Sequence, residues 1–426
     1  MKQTITLGKH TFRIDTGFLI MLILLGLTSF FALYNAFNLI SDGSGYGYMF
    51  RQIIWYVIGF TAMFFLCSMQ NKAIYPLMKK AYNFLMVCLV YLLISRLLIL
   101  VSSGSIYLPF ANEINGAVSW FSLPFASFQP SEFIKIVLIV MISKIIATHQ
   151  EEHPNPTNKD DLELLIKIGK VLLPPLILIF LQPDTGVMII ILLNTLILLL
   201  CSGIRKQYVW IIGILILCAV AGFFFLYFFQ RDLLEALLSN YRLARIDAWL
   251  DPEGNIQGSS NQLYTALLSL GSAGLSGHGL QADIIAIPEA HTDFIFAAVG
   301  QCFGLLGTTF ILAICFAFDI VLFKIAYNTK DRTDRFVVIG VIAMLVYQQF
   351  QNLGMIVGLV PITGITLPMI SYGGSSILSY FIAFAIVMNI SPVSKKVWVV
   401  GKKRPKKVST LKRRSLIKTF KKNTLI

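Results

Sequence analysis

Long apolar runs separated by polar connections extend over most of the 426-residue chain. An α-helix needs about 20 predominantly apolar residues to cross the hydrocarbon core of a bilayer. Most of the runs approach or exceed that length. The pattern therefore predicts an all-α integral membrane protein with about ten transmembrane helices, at 18–37, 53–69, 81–101, 131–148, 171–182, 185–203, 208–229, 294–323, 336–357 and 374–390.

The composition supports the same conclusion. Hydrophobic residues make up 56% of the chain and charged residues only 13%, more apolar surface than a soluble domain carries. The first run is too long for a signal-peptide core and lacks a convincing cleavage site, so we expect it to be retained. The six cysteines lie in apolar runs without paired spacing, which predicts neither a disulfide framework nor a metal cluster.

The basic residues predict the orientation in the membrane. They concentrate in short connections, and the positive-inside rule then puts both termini in the cytoplasm, as an even number of spans requires. The chain divides into a membrane region, 1–392, and a basic cytoplasmic tail, 393–426. Because the tail directly follows a span, we interpret it as an anchor on anionic lipid headgroups and expect no nucleic-acid partner.

Two long connections, 102–129 and 230–291, are predicted on the extracytoplasmic side, the second between spans 7 and 8. Loops of this length without clear secondary structure tend to carry function. The second contains a glycine-rich stretch, Gly271–Gly279, whose spacing is not that of a phosphate loop. We expect these glycines to let the backbone turn tightly against the membrane surface.

An acidic residue, Asp293, lies where the larger loop ends and the eighth apolar run begins, in AIPEAHTDFIF. A carboxylate at the mouth of a membrane span is costly to place and usually serves ions, protons or a substrate. Asp293 is therefore the main candidate for chemistry.

The fourth span begins with QPSEFIK, which places Glu132 and Lys135 three residues apart on one helix face. Such a pair faces the protein interior or a water-filled cavity rather than lipid. Two interpretations fit: a pair that fixes helix packing, or a cavity wall beside a charged substrate group.

Three other motifs are candidates. In QPDTG, Asp184 is predicted to cap the following helix after a tight reversal. Arg242 and Arg245 share a face if their stretch is helical, which suits either an anionic-lipid contact or ordering of the loop. The segment 361–376, PITGITLPMISYGGSS, predicts irregular backbone that lines a cavity.

Taken together, QPSEFIK, QPDTG, AHTDFIF and PITGITLPMISYGGSS resemble the SEDS family of bacterial shape, elongation, division and sporulation proteins. The motifs occur in the family's order over nearly the whole chain. The segment Asn352–Gly364 is more similar to the elongation (RodA) branch than to the division (FtsW) branch.

The resemblance implies a peptidoglycan glycosyltransferase that polymerises lipid II on the outer face of the bacterial cytoplasmic membrane. Its implied partners are undecaprenyl-pyrophosphate-linked glycan, a class B penicillin-binding protein and other elongation-complex proteins. A divalent cation, Mg²⁺ or Mn²⁺, is an implied cofactor, and Asp293 is its candidate ligand.

Position by position, the resemblance implies Asp293 as the catalytic residue. It also implies substrate contacts at Arg51, Glu132, Lys135, Arg242 and Arg245. The motifs themselves add His291, Tyr372 and Ser375 as candidate substrate contacts, and Gln129, Asp184, Gly373 and Gly374 as candidate structural or cavity residues. For His291 two interpretations fit: orientation of Asp293, or hydrogen bonding at the membrane interface. The family's basic residue before the tryptophan of the first long loop is absent from Ala117–Trp120. The second long loop also departs from the family pattern, at 260–266.

A mechanism follows from the leaving group. Undecaprenyl pyrophosphate departs as a stable anion, so one base suffices where glycoside hydrolases need two carboxylates. In this hypothesis Asp293 takes the proton of a GlcNAc 4-hydroxyl, which attacks MurNAc C1 with inversion. The alternatives are a lipid II flippase, a scaffold that only recruits the cross-linking partner, and a division-type or sporulation-type member of the same family.

Overall fold

The computed structural model describes residues 4–7, 10–40, 45–69, 71–102, 106–111, 113, 117–123, 127–237, 240–254, 256, 258, 260–392 and 397–398. The side chains at 4–7, 10–13, 236–237, 240–242 and 397–398 are outside that description. The predicted tail, 393–426, is therefore described only at the backbone of Val397 and Trp398.

Ten described helices follow the ten predicted apolar runs, which confirms the fold class. They are α1 Thr16–Asn35, α2 Gly45–Cys67, α3 Asn71–Val101, α4 Pro130–Glu152, α5 Asn158–Leu181, α6 Thr185–Cys201, α7 Lys206–Phe229, α11 Ile295–Asn328, α12 Arg332–Ile356 and α13 Gly374–Ile390. Among the described residues, seven of these helices are long and apolar enough to span a membrane, whereas α6 and α13 are shorter apolar helices.

The larger of the two long connections contains three further helices, which corrects the expectation of a loop without secondary structure. They are α8 Arg231–Leu237, α9 Asn240–Leu250 and α10 Asn261–Ser272. The prediction was wrong because these helices have only 7, 11 and 12 residues, too short for their apolar positions to stand out beside the membrane runs. Those positions are nevertheless buried against the bundle, as at Leu243, Ala248 and Leu263.

Short strands complete the fold. β1 Thr4–Leu7, β2 His10–Arg13 and β5 Val397–Trp398 form an antiparallel sheet in the order β1-β2-β5. β3 Phe121–Ser122 pairs with β4 Ser127–Phe128 immediately before α4. β4 packs against α13, and the few strand residues do not alter the all-α class.

The helix α4 occupies the centre of the bundle, where it packs against α3, α5, α6, α12 and α13. Most of its side chains are buried, polar ones included. The helix α7 is the opposite case, because none of its described residues is buried. A helix that is apolar on all faces and exposed on all faces is suited to lipid contact.

The glycine-rich stretch of the large loop inserts into a break in α11. Gly304 has φ +58° and interrupts the helix. The amides of Leu305 and Leu306 donate to the carbonyls of Gly274 and Leu275, at 3.0 and 3.1 Å. The carbonyls of Gln301 and Cys302 accept instead from the amides that follow Gly277, those of residues 278 and 279.

This exchange satisfies the backbone groups that the break would otherwise leave unpaired in an apolar environment. A Cβ at Gly277 would lie 2.3 Å from the carbonyl of Cys302, so the close approach requires glycine. The positive φ values of Gly274, Gly277 and Gly279 confirm the expected tight turns, and the stretch packs against a broken helix. Its contact with the membrane surface stays a prediction.

Both ends of the bundle region meet on one side. The hydroxyl of Ser391, just after α13, donates to the carboxylate of Asp15, the N-cap of α1, at 2.6 Å. This contact agrees with an even number of membrane crossings. We call this side the Asp15 end and the other side the Asp293 end.

Candidate active site

Asp293 lies in the last turn of the large loop, two residues before α11 begins. The amides of Thr292 and Phe294 both donate to the carbonyl of Glu289, which closes a tight turn around Asp293. From α12, the buried amide of Asn352 donates to the carbonyls of Asp293 and Ile365, each at 2.7 Å. The backbone that carries Asp293 is therefore fixed to the segment before α13.

Arg245, on α9, faces the same point as Asp293. A Cβ built on Gly364 would lie 3.3 Å from a guanidinium nitrogen of Arg245 and 3.3 Å from a carboxylate oxygen of Asp293. Gly364 also has φ +73°, which favours glycine. The indole of Trp249 donates to the carbonyl of Gly358 at 2.9 Å and holds α9 against the same segment.

The environment of Asp293 makes its carboxylate more basic than that of an ordinary aspartate. Its pKa is raised from 3.8 to about 6, mainly by burial and in part by the negative charge of Glu289, while the Arg245 guanidinium opposes the rise. A carboxylate with a pKa near neutrality is a suitable general base. No other described carboxylate combines such a shift with a place in this loop.

An aromatic and basic cluster lies beside Asp293. The ring of Tyr48, on α2, is 4.2 Å from the ring of His291 and 4.9 Å from that of Tyr372. The amide of Tyr372 donates to the carbonyl of His291 at 2.9 Å. Burial raises the pKa of the Tyr372 hydroxyl, and its hydrogen bond with Arg51 opposes that rise. Arg51 also lies 6.0 Å above the Tyr48 ring.

A second polar cluster joins the start of α4 to the start of α6. The carboxylate of Asp184 accepts from the Gln129 amide at 2.9 Å and from the Ser131 hydroxyl at 2.8 Å. Its other oxygen accepts from the backbone amide of Val187, which confirms the predicted helix cap. Ser375, at the start of α13, accepts from the Gln129 backbone amide at 3.1 Å.

Glu132 and Lys135 form the predicted pair, with the ammonium 3.0 Å from both carboxylate oxygens. Both side chains are buried, and the ammonium lies 5.8 Å from the centre of the Tyr380 ring. The cavity beside Lys135 holds only about 10 Å³ and is lined mainly by aliphatic side chains. The contact with substrate stays a prediction.

The structure thus brings Asp293, Arg245, His291, Tyr372 and Arg51 to one end of the bundle, and Gln129, Asp184 and Ser375 into a network at the start of α4. Gly373 and Gly374 begin α13, where a Cβ at Gly374 would lie 2.3 Å from the Trp55 ring. The side chain of Arg242 lies outside the described residues.

Sequence reasoning missed three residues of the site, Tyr48, Glu289 and Asn352. Glu289 precedes Asp293 by one turn and could have been found as a second carboxylate in the same motif. Tyr48 and Asn352 join the site only through the fold, on helices distant in sequence.

Comparison with known proteins assigns the chain to a family. The model of the cell cycle proteins named for FtsW, RodA and SpoVE matches residues 13–396. The chain belongs to this family, the SEDS family. The matched region includes α1 to α13, so the match to the family extends over the whole helical bundle and its connecting loops.

Individual SEDS relatives are similar over most of their length. The chain is 29% identical over 351 residues to stage V sporulation protein E of Bacillus subtilis (strain 168), covering 81% of this chain and 87% of that protein. It is 31% identical over 279 residues to the peptidoglycan glycosyltransferase MrdB of Escherichia coli (strain K12), covering 65% and 71%.

The fold also matches a solved structure. A chain from a study of how a peptidoglycan synthase complex coordinates polymerization and crosslinking superposes with a TM-score of 0.67 at 23% identity. The match covers 88% of this chain and 97% of that chain. This is a multi-pass membrane fold.

Proposed function

We propose that the chain is a peptidoglycan glycosyltransferase that polymerises lipid II into glycan strands. The observation that carries the proposal is the Asp293 carboxylate, with a pKa raised to about 6, beside the Arg245 guanidinium. Membership in a family with relatives named as peptidoglycan glycosyltransferases supports the substrate class.

In the proposed reaction, Asp293 removes the proton from the 4-hydroxyl of a lipid-linked GlcNAc. That oxygen forms a bond to MurNAc C1 of a second lipid-linked chain, and the bond from C1 to the pyrophosphate oxygen breaks. The leaving undecaprenyl pyrophosphate takes the electron pair, and the anomeric centre inverts. Arg245 and Arg51 are suited to bind the pyrophosphate, because guanidinium forks match phosphate oxygens.

The site is proposed to face outward from the bacterial cytoplasmic membrane. Basic connections support this orientation, because they lie at the Asp15 end. Arg205 donates to the carbonyl of Pro156 in the connection after α4, and Arg332 donates to that of Gln150. The positive-inside rule assigns that end to the cytoplasm and the Asp293 end to the extracytoplasmic side.

A divalent cation, Mg²⁺ or Mn²⁺, is a proposed cofactor. The two neighbouring carboxylates of Asp293 and Glu289 fit such an ion, since their mutual repulsion raises the Asp293 pKa and a cation would relieve it. Asp293 would hold the ion, which would neutralise charge on the pyrophosphate.

A class B penicillin-binding protein is the proposed cross-linking partner, within the elongation complex. The similar solved chain comes from a complex that combines polymerization and crosslinking, and Asn352–Gly364 is most like the elongation branch. The division and sporulation branches are the alternatives.

The test is synthesis of glycan strands from lipid II by purified protein, with and without the partner, analysed on gels. Asp293→Asn should lose activity by roughly 10²–10⁴-fold. Asp283→Asn, the same substitution at an exposed position of the same loop, should keep it. Product in detergent would exclude a flippase role as the explanation, because no second leaflet exists there. Near-normal synthesis by Asp293→Asn would reject the proposed base.

A further inference from the structure

The end of α4 and the start of α5 bring together a cluster of possible metal ligands at the Asp15 end. Each of three residues offers one ligand atom, and these atoms lie within 4.8 Å of one another: His153, Asp160 and Glu163. The Nδ1 atom of His153 is 3.6 Å from Oδ1 of Asp160. Because α4 has 23 residues, this cluster is roughly 35 Å from the start of α4 near the Asp293 end.

Local sequence explains why these atoms face one another. Asp160 is the third residue of α5 and completes a capping box with Thr157. Its Oδ2 atom accepts from the backbone amide and the hydroxyl of Thr157, at 2.7 and 2.8 Å. The capping therefore uses one oxygen and leaves Oδ1 directed at His153.

His149 supplies an independent observation. It lies four residues before His153, the C-cap of α4, and its ring centre is 4.9 Å from that of His153. The residue is only 4% exposed, and neither ring nitrogen has a hydrogen-bond partner among the described residues. A buried imidazole without any partner is costly, and a metal ion would satisfy one nitrogen.

We propose that His153, Asp160 and Glu163, with His149 as the fourth ligand, form a binding site for a borderline divalent transition-metal ion of the Zn²⁺ class. Imidazole nitrogens and carboxylate oxygens are both ligands of Zn²⁺, and the His149 imidazole, four residues before His153, completes a four-ligand set. Imidazole nitrogens favour Zn²⁺ over Mg²⁺ or Ca²⁺, which prefer oxygen ligands. The ligand atoms must draw together for bonds of about 2.1 Å, which the partly exposed His153 and Asp160 can do.

Neighbouring basic residues already contact carboxylates near this site. Lys167 lies 2.9 Å from the Glu163 carboxylate and 3.9 Å from that of Glu152, so Glu163 is already paired. A bound cation would compete with the Lys167 ammonium for Glu163. Asp161 faces Arg205 at 3.5 Å and does not belong to the set.

Occupation of the site would tie α4 to α5 across the connection at 154–157. The side chain of Arg205, just before α7, holds the same connection through the carbonyl of Pro156 at 2.5 Å. Binding to the folded state alone raises stability by mass action. The metal is therefore expected to stabilise the Asp15 end, independently of chemistry at Asp293.

The test is Zn²⁺ binding by the full-length protein, purified in detergent without a histidine tag, by calorimetry and by competition with a chromophoric chelator. Wild type should bind one ion with high affinity and gain thermal stability. His153→Gln should weaken binding by at least the roughly 10–100-fold typical of an outer-shell partner. His278→Gln, which removes a histidine from the large loop, should not weaken it.

Lys167→Met provides a second variant, at a half-exposed position that should fold normally. Removal of the competing ammonium should strengthen Zn²⁺ binding, and an unchanged affinity would contradict the proposed role of Glu163. Equal binding by wild type and by the double variant His149→Gln/His153→Gln would overturn the site itself. Displacement of Zn²⁺ by equimolar Mg²⁺ would do the same, because it would indicate a general acidic surface. These readouts do not depend on glycan synthesis.

Discussion

Arg245 and Asp293 converge on Gly364, each 3.3 Å from the position that a Cβ would occupy there. The two residues are 48 positions apart in sequence and come from different elements, the helix α9 and the loop before α11. A guanidinium near a partly buried carboxylate favours the ionised form, while burial and Glu289 favour the neutral form. The pKa of Asp293 is therefore set by the balance of burial and Glu289 against Arg245.

Glycan synthesis should increase as the pH rises through about 6, because Asp293 acts as a base only when ionised and burial raises its pKa to about 6. Glu289→Gln removes a negative charge and should move this acid limb to lower pH. Arg245→Met removes a positive charge and should move it to higher pH. The measurement is initial polymerisation rate against pH, normalised for each variant.

The control for this pH series is Glu253→Gln, the same substitution at an exposed site of the large loop. Its acid limb should coincide with that of wild type. If Glu289→Gln and Arg245→Met shift the limb in the same direction, or not at all, the titrating group is not Asp293.

The sequence alone predicted the membrane helices well, because apolar runs of this length are stable only in the hydrocarbon core of a bilayer. It also predicted the cap at Asp184 and the pairing of Glu132 with Lys135, since both depend on neighbours within one or two turns. Local spacing is sufficient for such contacts.

What could not be predicted depends on long-range packing. Asn352 contacts Asp293 from a position 59 residues later. Tyr48 reaches His291 only because α2 lies beside the segment before α13. The break in α11 occurs at Gly304, one of three glycines in the apolar run, and its hydrogen-bond partners are in another element. The three helices of the large loop have only 7 to 12 residues, and helices this short depend on burial against the bundle for their stability.

Asp293→Asn should raise thermal stability at neutral pH. The folded state holds Asp293 at a pKa of about 6, above its ordinary 3.8, so folding favours the protonated form. The resulting cost, roughly 1–3 kcal/mol, is absent below about pH 4, grows as the pH rises to about 6 and is complete above it. An asparagine does not titrate and avoids this cost.

Thermal unfolding of the two proteins in detergent, followed by tryptophan fluorescence from pH 4 to 8, measures this difference. The advantage of Asp293→Asn should be largest above pH 6 and disappear near pH 4. Asp283→Asn is the matched control and should show no such trend. An advantage of Asp293→Asn that is independent of pH would show that the charge is not its cause.

The exchange of hydrogen bonds at the break in α11 should make Gly277 intolerant of a side chain. A Cβ there would lie 2.3 Å from the backbone of Cys302, and φ is +73°. Gly277→Ala is expected to lose about 1–3 kcal/mol of stability through strain and overpacking. Gly213→Ala is the control, because a Cβ at this position of α7 meets nothing within 4 Å. Equal melting temperatures for the two variants would show that the break adapts freely.

Asn352 is expected to position Asp293 without contacting substrate. Leucine has the same branching and the same number of side-chain heavy atoms as asparagine. Asn352→Leu cannot donate to the carbonyls of Asp293 and Ile365, so the turn that carries the base should shift. A displacement of about 1 Å at a catalytic group can cost roughly 10²-fold in rate. We expect kcat to fall by about that factor, with little change in KM for lipid II and no change in the acid limb, because Arg245 and Glu289 remain.

Asn389→Leu is a matched control for Asn352→Leu. The Asn389 amide also donates to two backbone carbonyls, those of Leu66 at 3.4 Å and Met69 at 3.0 Å, but at the Asp15 end. Both variants lose comparable hydrogen bonds, so both should lose stability, and only Asn352→Leu should lose kcat. If the two variants lose kcat equally, the effect of Asn352 is general destabilisation. If the acid limb of Asn352→Leu moves as well, the residue acts on the charge of Asp293 rather than on its position.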